Sequence, residues 1–398
     1  MMNNRVLSGM RPTGEIHLGH LCGVIANWRK MQDESECFFF VADWHALTTD
    51  YAAPGNSPAN ADEMITSWLA AGIDAQRATL FIQSQIPEHA ELHLLLSMIC
   101  PLAKLMQLPT YKEQKENLNR DLDTYGFLGY PLLQSADILA YKPSQVPVGE
   151  DQLPHIEFTR EIARRFNHLY GGGEGFVKQV KETLRALPAE ARKTIERAYQ
   201  AYRQDGEESA LTLALAEIEQ LGLSTKTQAV LRGYCAYDAE EILPLPDACL
   251  TPAAKLLGTD GRKMSKSYNN TIALSDEPSV IFKKIARMQT DPARKLRTDP
   301  GEPKNCPVWS LHEHFSEPAT HQWVKKGCRS AGIGCVECKK KLADNINTVL
   351  QPIQQRRDEI ERNGIVKDII AAGNQRAQAV ARETLQEVRH AMRLTVSV

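Results

Sequence analysis

Five residues in a row, Cys37-Phe38-Phe39-Phe40-Val41, leave no polar side for water. A strand alternates its side chains between two faces, so an unbroken apolar run is stable only where both faces are covered, as inside a parallel sheet flanked by helices. The neighbouring segments agree with that placement. Residues 5–9 (RVLSG) read as a short strand running into the turn-forming RPTG. LCGVIANWRKMQ and ADEMITSWLAAGI carry helical apolar spacing, and ATLFIQSQI is strand-like. Strand and helix in alternation predict an α/β fold with a doubly wound parallel sheet. In such sheets ligands bind beyond the carboxyl ends of the strands, where the turn after the first strand and the DWH after the second both fall.

A chain of 398 residues is long enough for two or three domains. We read 1–170 as the first part of the Rossmann-like domain and 171–243 as a helical insertion rich in Ala, Glu, Lys, Gln and Leu. The α/β pattern resumes over 244–275, and 276–398 is a helical tail. No apolar run is long enough to span a bilayer, and the start MMNNRVLSGMRPTG lacks the cationic and apolar parts of a secretory signal, so a cytoplasmic, membrane-free protein is expected. A formal net charge of −2 argues against a protein that coats nucleic acid broadly. The end of the chain is locally basic, with 11 Lys/Arg against 7 Asp/Glu from Lys339 onward, which suits a phosphate-rich partner or a solvated helical face equally.

Two motifs carry chemistry. His17-Leu18-Gly19-His20 follows a strand and turn and opens a helix, a place where free N–H groups and the helix dipole favour phosphate. Gly19 allows close approach of the backbone to a nucleotide. Lys263-Met264-Ser265-Lys266-Ser267, after the turn GTDGR, sets two cations among small hydroxyls, which can stabilise charge developing on a leaving pyrophosphate. Each motif alone reads as readily as ordinary surface. Their order and wide spacing resemble the HIGH and KMSKS signatures of class I aminoacyl-tRNA synthetases, built on the HUP-type core. LSGMRPTGEIHLGH, VADWHALTT, YPLLQSADILAYK and VPVGEDQLPHIEFTREIARRFN are further similar to the tryptophanyl-tRNA synthetase family, over nearly the whole chain except the insertion.

That resemblance implies a tryptophan–tRNA ligase that uses ATP with Mg2+, makes tryptophanyl-adenylate, loads tRNA(Trp) and works as a homodimer. It implies that His17, His20, Lys263 and Lys266 serve catalysis. ATP would meet Arg11, Pro12, Thr13, Gly19, His20, Gly149, Glu150, Asp151, Ala254 and the loop Lys263, Met264, Ser265, Lys266 and Ser267. Tryptophan would meet Asp137, as acceptor of the indole N–H, together with Tyr130, Gln134, Gln152 and His45. Two positions depart from the family pattern. Many members have Gln where this chain has Arg11, and many have an apolar residue where it has Gln134. The spacing Tyr130, Gln134, Asp137 is also similar to tyrosyl-tRNA synthetases, where the carboxylate accepts from a phenol. A tyrosine enzyme, a non-catalytic RNA-binding paralogue and another nucleotidyl transferase of this fold are the competing readings.

Four of nine cysteines cluster late: Cys306, Cys328, Cys335 and Cys338, spaced C-x21-C-x6-C-x2-C. Four thiols with a tight C-x2-C suit tetrahedral Zn2+ or a [4Fe–4S] cluster. Some bacterial tryptophanyl-tRNA synthetases resemble this segment and carry the iron–sulfur cluster near their anticodon-recognition region, so the resemblance favours iron–sulfur in a structural or tRNA-recognition role. The helices beyond about residue 275 would then read the anticodon.

Overall fold

The computed structural model describes residues 4–55, 57–109, 124–205, 207–237, 239–250 and 256–394. Five strands, β1 (Arg5–Met10), β2 (Glu36–Val41), β3 (Ala78–Ile82), β4 (Gln145–Val148) and β5 (Asp247–Leu250), lie in the order β3-β2-β1-β4-β5. Every adjacent pair is parallel. The apolar run does what its composition requires. Cys37, Phe39 and Val41 enter one core with Trp28 and Trp68, while Phe38 and Phe40 enter the core on the opposite face with Phe81 and Tyr141. The strand stops at Val41. The buried Asp43 carboxylate accepts from the Trp44 and Ser84 N–H groups, at 3.1 and 3.0 Å, and starts a helix instead.

On the sequence, α1 (Leu18–His20) passes through a π turn (Leu21–Ile25) into α2 (Ala26–Glu34). Then come α3 (Asp43–Asp50), α4 (Ser57–Ala70), α5 (Glu88–Ser97), α6 (Leu102–Gln107), α7 (Tyr125–Tyr141) and α8 (Leu153–Tyr170). Four helices follow, α9 (Glu174–Ala186), α10 (Ala189–Asp205), α11 (Glu208–Gln220) and α12 (Thr225–Tyr237), within the segment read as an insertion. They enclose a core of their own, built on Phe176, Val180, Leu184, Ile195, Ile218 and Leu231. Its two ends are pinned together: Asn167 accepts from the Ile242 and Leu243 N–H groups and donates to the Leu243 carbonyl.

The C-terminal helices are α13 (Pro278–Ala286), α14 (Pro307–Phe315), α15 (Pro318–Arg329), α16 (Cys335–Asn363) and α17 (Val366–Ala391). Gly364, at φ 63°, supplies the left-handed residue that ends α16 and lets the chain turn back. Unlike the insertion, these two long helices share the cores of the sheet. Leu342, Ile346 and Leu350 of α16 join the core around Trp68, and Ala377, Ala381 and Leu385 of α17 join the core around Phe81. No described helix is long and apolar enough to cross a membrane.

Candidate active site and cysteine chamber

The topology dictates where a site forms. From β1 the chain winds outward through β2 and β3, then returns to add β4 and β5 on the other side of β1. The crossovers therefore diverge at β1 and β4, leaving a crevice beyond their carboxyl ends. A cavity of about 330 Å3 occupies it. Ser8, Gly9 and Arg11 close it from β1, Val148, Gly149 and Gln152 from β4, and His45, Tyr130, Gln134 and Asp137 from α3 and α7. Gly9 is fixed by close approach, because a Cβ there would lie 2.5 Å from the Phe40 ring. Seven residues singled out from the sequence thus meet around one cavity, though they come from four separate stretches of chain. Glu150 and Asp151 stand at the exposed start of the turn that leads into α8, with Gln152 donating to Asp151 at 2.9 Å.

Asp137 is the most constrained of them. It is 1 % exposed and sits mid-helix in α7. Its Oδ1 takes His89 Nδ1 at 2.6 Å and Gln83 Nε2 at 2.8 Å, and its Oδ2 takes His45 Nε2 at 2.7 Å and Gln83 Nε2 at 2.9 Å. Burial works to raise the pKa of this carboxyl, but the hydrogen bonds from His45 and His89 outweigh it and hold it below the usual carboxylate range. With both lone pairs of each oxygen engaged, an incoming N–H must share the bifurcated Gln83 contact or displace one donor. His89 Nδ1 donates to the carboxylate, so its Nε2 accepts from the Tyr141 hydroxyl at 2.7 Å. Gln134 is oriented by His155, whose Nδ1 lies 2.7 Å from Oε1.

The lysine and histidine motifs meet each other. Leu18 N–H donates to the Ile272 carbonyl at 3.0 Å, and Lys266 Nζ donates to the Gly14 carbonyl at 2.7 Å across 252 positions of sequence. His17 Nδ1 accepts from the Gly19 N–H at 3.1 Å, and His20 Nδ1 accepts from the His17 N–H at 3.3 Å. Both rings therefore carry their proton on Nε2 and keep an N–H to offer. The rings stack at 3.7 Å. Burial, and then the Lys266 charge, bring His17 down to about 4; burial, then His17 and Lys266, bring His20 to about 2. They are neutral donors at neutral pH. Burial lowers the Lys266 ammonium to about 8, against the opposing pull of Glu15.

Pro12 is buried and Thr13 exposed in the same turn, while Lys263 projects to solvent. Met264 is buried in the core with Leu256 and Ile272, so it anchors the loop from below. Ser265 N–H donates to the buried Asn270 side chain, and Ser267 lies in the turn Lys266–Tyr268 that follows. Ala254 lies outside the described residues.

Away from the sheet, Cys306, Cys328, Cys335 and Cys338 line a cavity of about 30 Å3 with Asp291, Arg294, His312 and Lys339. The four thiols come from the start of α14, the end of α15 and the first turn of α16. Arg294 Nη1 points to Cys328 Sγ at 3.7 Å, and His312 Nε2 lies 3.4 Å from Cys338 Sγ. The Arg294 Nε is buried without a hydrogen-bond partner. Burial pushes the Cys338 thiol up to about 12, helped by the other three cysteines. Among the described residues, no three His, Cys, Asp or Glu side chains are grouped as a site for a single metal ion.

The sequence reading missed Gln83, His89, Tyr141, His155 and Asn270. Gln83 and His89 lie in a stretch, IQSQIPEHAEL, whose polar residues look like an ordinary strand end and helix start. Only their total burial distinguishes them. Asn270 was visible just beyond KMSKS as one of two adjacent asparagines, with nothing to mark it as the residue that ties Asp260, Lys263 and Ser265 together.

Residues 2–191 and 224–351 match the family described as tRNA synthetases class I (W and Y). The break at 192–223 falls within α10 and α11 of the insertion. The chain is 51% identical over 402 residues to the tryptophan–tRNA ligase of Ralstonia nicotianae, with 100% of each covered. It is 43% identical over 394 residues to that of Thermotoga maritima, covering 98% of this chain and 99% of the relative. The crystal structure of tryptophanyl-tRNA synthetase from Campylobacter jejuni complexed with ADP and tryptophane superposes with a TM-score of 0.73 at 25% identity, over 98% and 99% of the two chains. A tyrosyl-tRNA synthetase from Archaeoglobus fulgidus, at 18% identity and a TM-score of 0.54, shares the fold.

Proposed function

The chain belongs to the class I tryptophan- and tyrosine-tRNA synthetase family, among its tryptophan–tRNA ligases, and from that premise we propose how its own residues divide the work. Tryptophan and ATP bind in the crevice beyond β1 and β4. The indole N–H approaches Asp137, with Tyr130, Gln134 and Gln152 around the ammonium and carboxylate and His45 beside the ring. ATP, with Mg2+ as its counter-ion, lies over Arg11, Pro12, Thr13 and Gly19 on one side and Gly149, Glu150 and Asp151 on the other, Ala254 being the adenine neighbour implied by the sequence. A carboxylate oxygen of tryptophan attacks the α-phosphorus, the bond to the bridging oxygen breaks, and pyrophosphate leaves. His17 and His20 offer neutral N–H groups to the phosphates. Lys266 and Lys263 stabilise the charge that develops on the leaving group, with Ser265 and Ser267 beside them. A ribose hydroxyl at the 3′ end of tRNA(Trp) then displaces AMP from the adenylate.

The observation that carries this reading is the meeting of Lys266 with the Gly14 carbonyl in the turn before His17, across 252 positions, in a chain whose Arg11, from the same turn, lines the cavity with Asp137. ATP–pyrophosphate exchange with each of the twenty amino acids tests it. Exchange with tryptophan alone is expected. Exchange driven by tyrosine would overturn the assignment of Asp137 and Gln134.

The four cysteines fit an iron–sulfur group. They face one chamber, they repel one another as thiolates unless a cationic centre lies between them, and the unpartnered Arg294 Nε faces the same neighbourhood with an anion-seeking N–H. Four thiols also suit Zn2+; the likeness of this segment to iron–sulfur-containing tryptophanyl-tRNA synthetases is what favours the [4Fe–4S] group. Such a group, when bound, would tie α14, α15 and α16 together and shape the surface toward the tRNA anticodon. Iron and sulfide analysis of anaerobically purified protein checks this, and zinc alone would reject it.

A homodimer is supported by the exposed apolar side chains Leu94, Met98, Leu102, Met106 and Tyr125, carried on or beside α5, α6 and the start of α7. Sedimentation of Met98→Glu/Met106→Glu should give monomers. A cytoplasmic location fits the proposed substrates, ATP and tRNA. The insertion, with its separate core, is open to a role as spacer, dimer or tRNA contact, or regulatory module.

A further inference from the structure

β3 is the edge strand of the sheet, and its outer backbone groups have no strand partner. α17 covers that edge so closely that a Cβ on Gly373 would sit 1.7 Å from the Leu80 carbonyl oxygen. Next along the helix, the Asn374 side chain accepts from the Ile82 N–H at 3.1 Å and donates to the Gln85 side chain. One carboxamide thus bridges both ends of the short turn Gln83–Gln85. The seam continues along α5. Arg382 pairs with Glu88 at 2.7 Å, Gln378 donates to Glu88 at 3.2 Å, and Arg389 pairs with Glu91 at 2.6 Å.

Two of the three residues that hold Asp137 lie between these fixed points, the third being His45. Gln83, fully buried, gives both its contacts from the bridged turn, and its Oε1 accepts from the Trp44 N–H at 3.2 Å. His89, also fully buried, follows Glu88 directly. A shift of the turn would move Gln83 Nε2 and rotate the carboxylate that meets the indole. The turn cannot drift without breaking the Asn374 bonds, and no strand on the outer side of β3 replaces them.

We infer that Asn374, some 290 residues away in sequence from the turn it bridges, is a positioning residue for amino-acid selection: it sets the orientation of Asp137 through Gln83. The inference rests on Asp137 being the acceptor of the indole N–H. A residue that only stabilised the fold would lower activity on every substrate alike. A positioning residue acts on the step that reads the N–H.

The test uses the full-length enzyme in ATP–pyrophosphate exchange, comparing tryptophan with benzothienylalanine, which replaces the indole N–H with sulfur. The parent enzyme should prefer tryptophan strongly. Asn374→Leu should compress that preference about tenfold, raising KM for tryptophan more than it lowers kcat and leaving KM for ATP unchanged. Asn374→Asp, which keeps the acceptor for the Ile82 N–H, should retain most of the preference. Should Asn374→Leu fail to fold, Arg382→Gln loosens the same seam beside His89 and should compress the preference by a smaller factor. Full preference in these variants, with Asp137→Asn losing it, overturns the role of Asn374 alone. Full preference in Asp137→Asn overturns the reading of Asp137 and this inference with it.

Discussion

Two clusters of acids in this molecule, one fully buried and one half-buried, behave oppositely. Burial raises the pKa of both the Asp137 carboxyl and the Cys338 thiol, since neither anion is welcome away from water. Around Asp137 the chain supplies His45, Gln83 and His89 as donors at 2.6 to 2.9 Å, and the carboxylate stays ionised. Around the cysteines the side-chain contacts are long, Arg294 to Cys328 and His312 to Cys338, backbone groups bond Cys306, the sulfurs oppose each other, and the Cys338 thiol is driven to about 12. The first cluster is complete as polypeptide and keeps only a shared contact for a substrate. On the proposed reading, selectivity is built by satisfying a buried charge, and a cofactor site by leaving one unsatisfied.

The largest effect should follow from removing the satisfied charge. Asp137→Ala leaves three buried donors without an acceptor, at a cost of about 3 kcal/mol or more in unfolding free energy. It should also lower kcat/KM for tryptophan by about a thousandfold. Denaturant melts and exchange kinetics measure both. A stable protein with unchanged kinetics would mean that His45 or Gln83, not the carboxylate, reads the substrate.

Next in size is Lys266, which stands outside both clusters and contacts neither. Lys266→Ala should lower the rate of tryptophan activation about a hundredfold while leaving tryptophan affinity nearly unchanged. Equal losses in both would end its assignment to the leaving group. Its pKa adds a sign. The free enzyme carries the ammonium below about pH 8 and loses it above, so kcat/KM for ATP should fall as pH rises through 8. Lys266→Arg should move that limb to higher pH.

Breaking the unsatisfied cluster should be milder for chemistry and visible elsewhere. On the proposed iron–sulfur reading, Cys335→Ser/Cys338→Ser should abolish bound iron and sulfide and lower the melting temperature by roughly 5 °C. Tryptophan activation should change little, because the chamber lies apart from the cavity at β1 and β4. A variant that keeps its iron would show that these sulfurs do not hold it.

Much of this was legible before any coordinates. The run Cys37–Val41 announced a buried strand, and the two motifs with their flanking turns announced nucleotide chemistry, because each depends on residue types at short spacing. The insertion also showed as a change of composition. Gln83, His89 and Asn374 did not show. Their roles come from contacts made across tens to hundreds of residues, and polar residues at a strand end or on a helix look the same whether they face water or a buried carboxylate. The long helices were expected as a separate tail, but α16 and α17 complete the cores of the sheet. Their amphipathic spacing reveals an apolar face without naming its partner.

The smallest effect sharpens the contrast from the side of bases. Burial lowers His17 and His155 each to about 4, so both are neutral in the folded chain where an unfolded histidine, near 6.5, would begin to charge. The folded state therefore binds fewer protons than the unfolded state between those values. The stability these rings contribute is present in full above pH 6.5 and is lost as pH falls toward 4. The ceiling is about 3 kcal/mol for each ring, and water entering the crevice should leave about 1 kcal/mol. Restricting the comparison to pH 6.5–5 keeps most carboxylates ionised, so the slope reports the histidines. Denaturant midpoints across that window should fall steadily, and His155→Gln should flatten the slope. Because His155 holds Gln134 by its Nδ1–H, the same variant should raise KM for tryptophan even at pH 8, where the pH term is absent. A flattened slope without that rise would leave His155 as a buried base that does not orient Gln134.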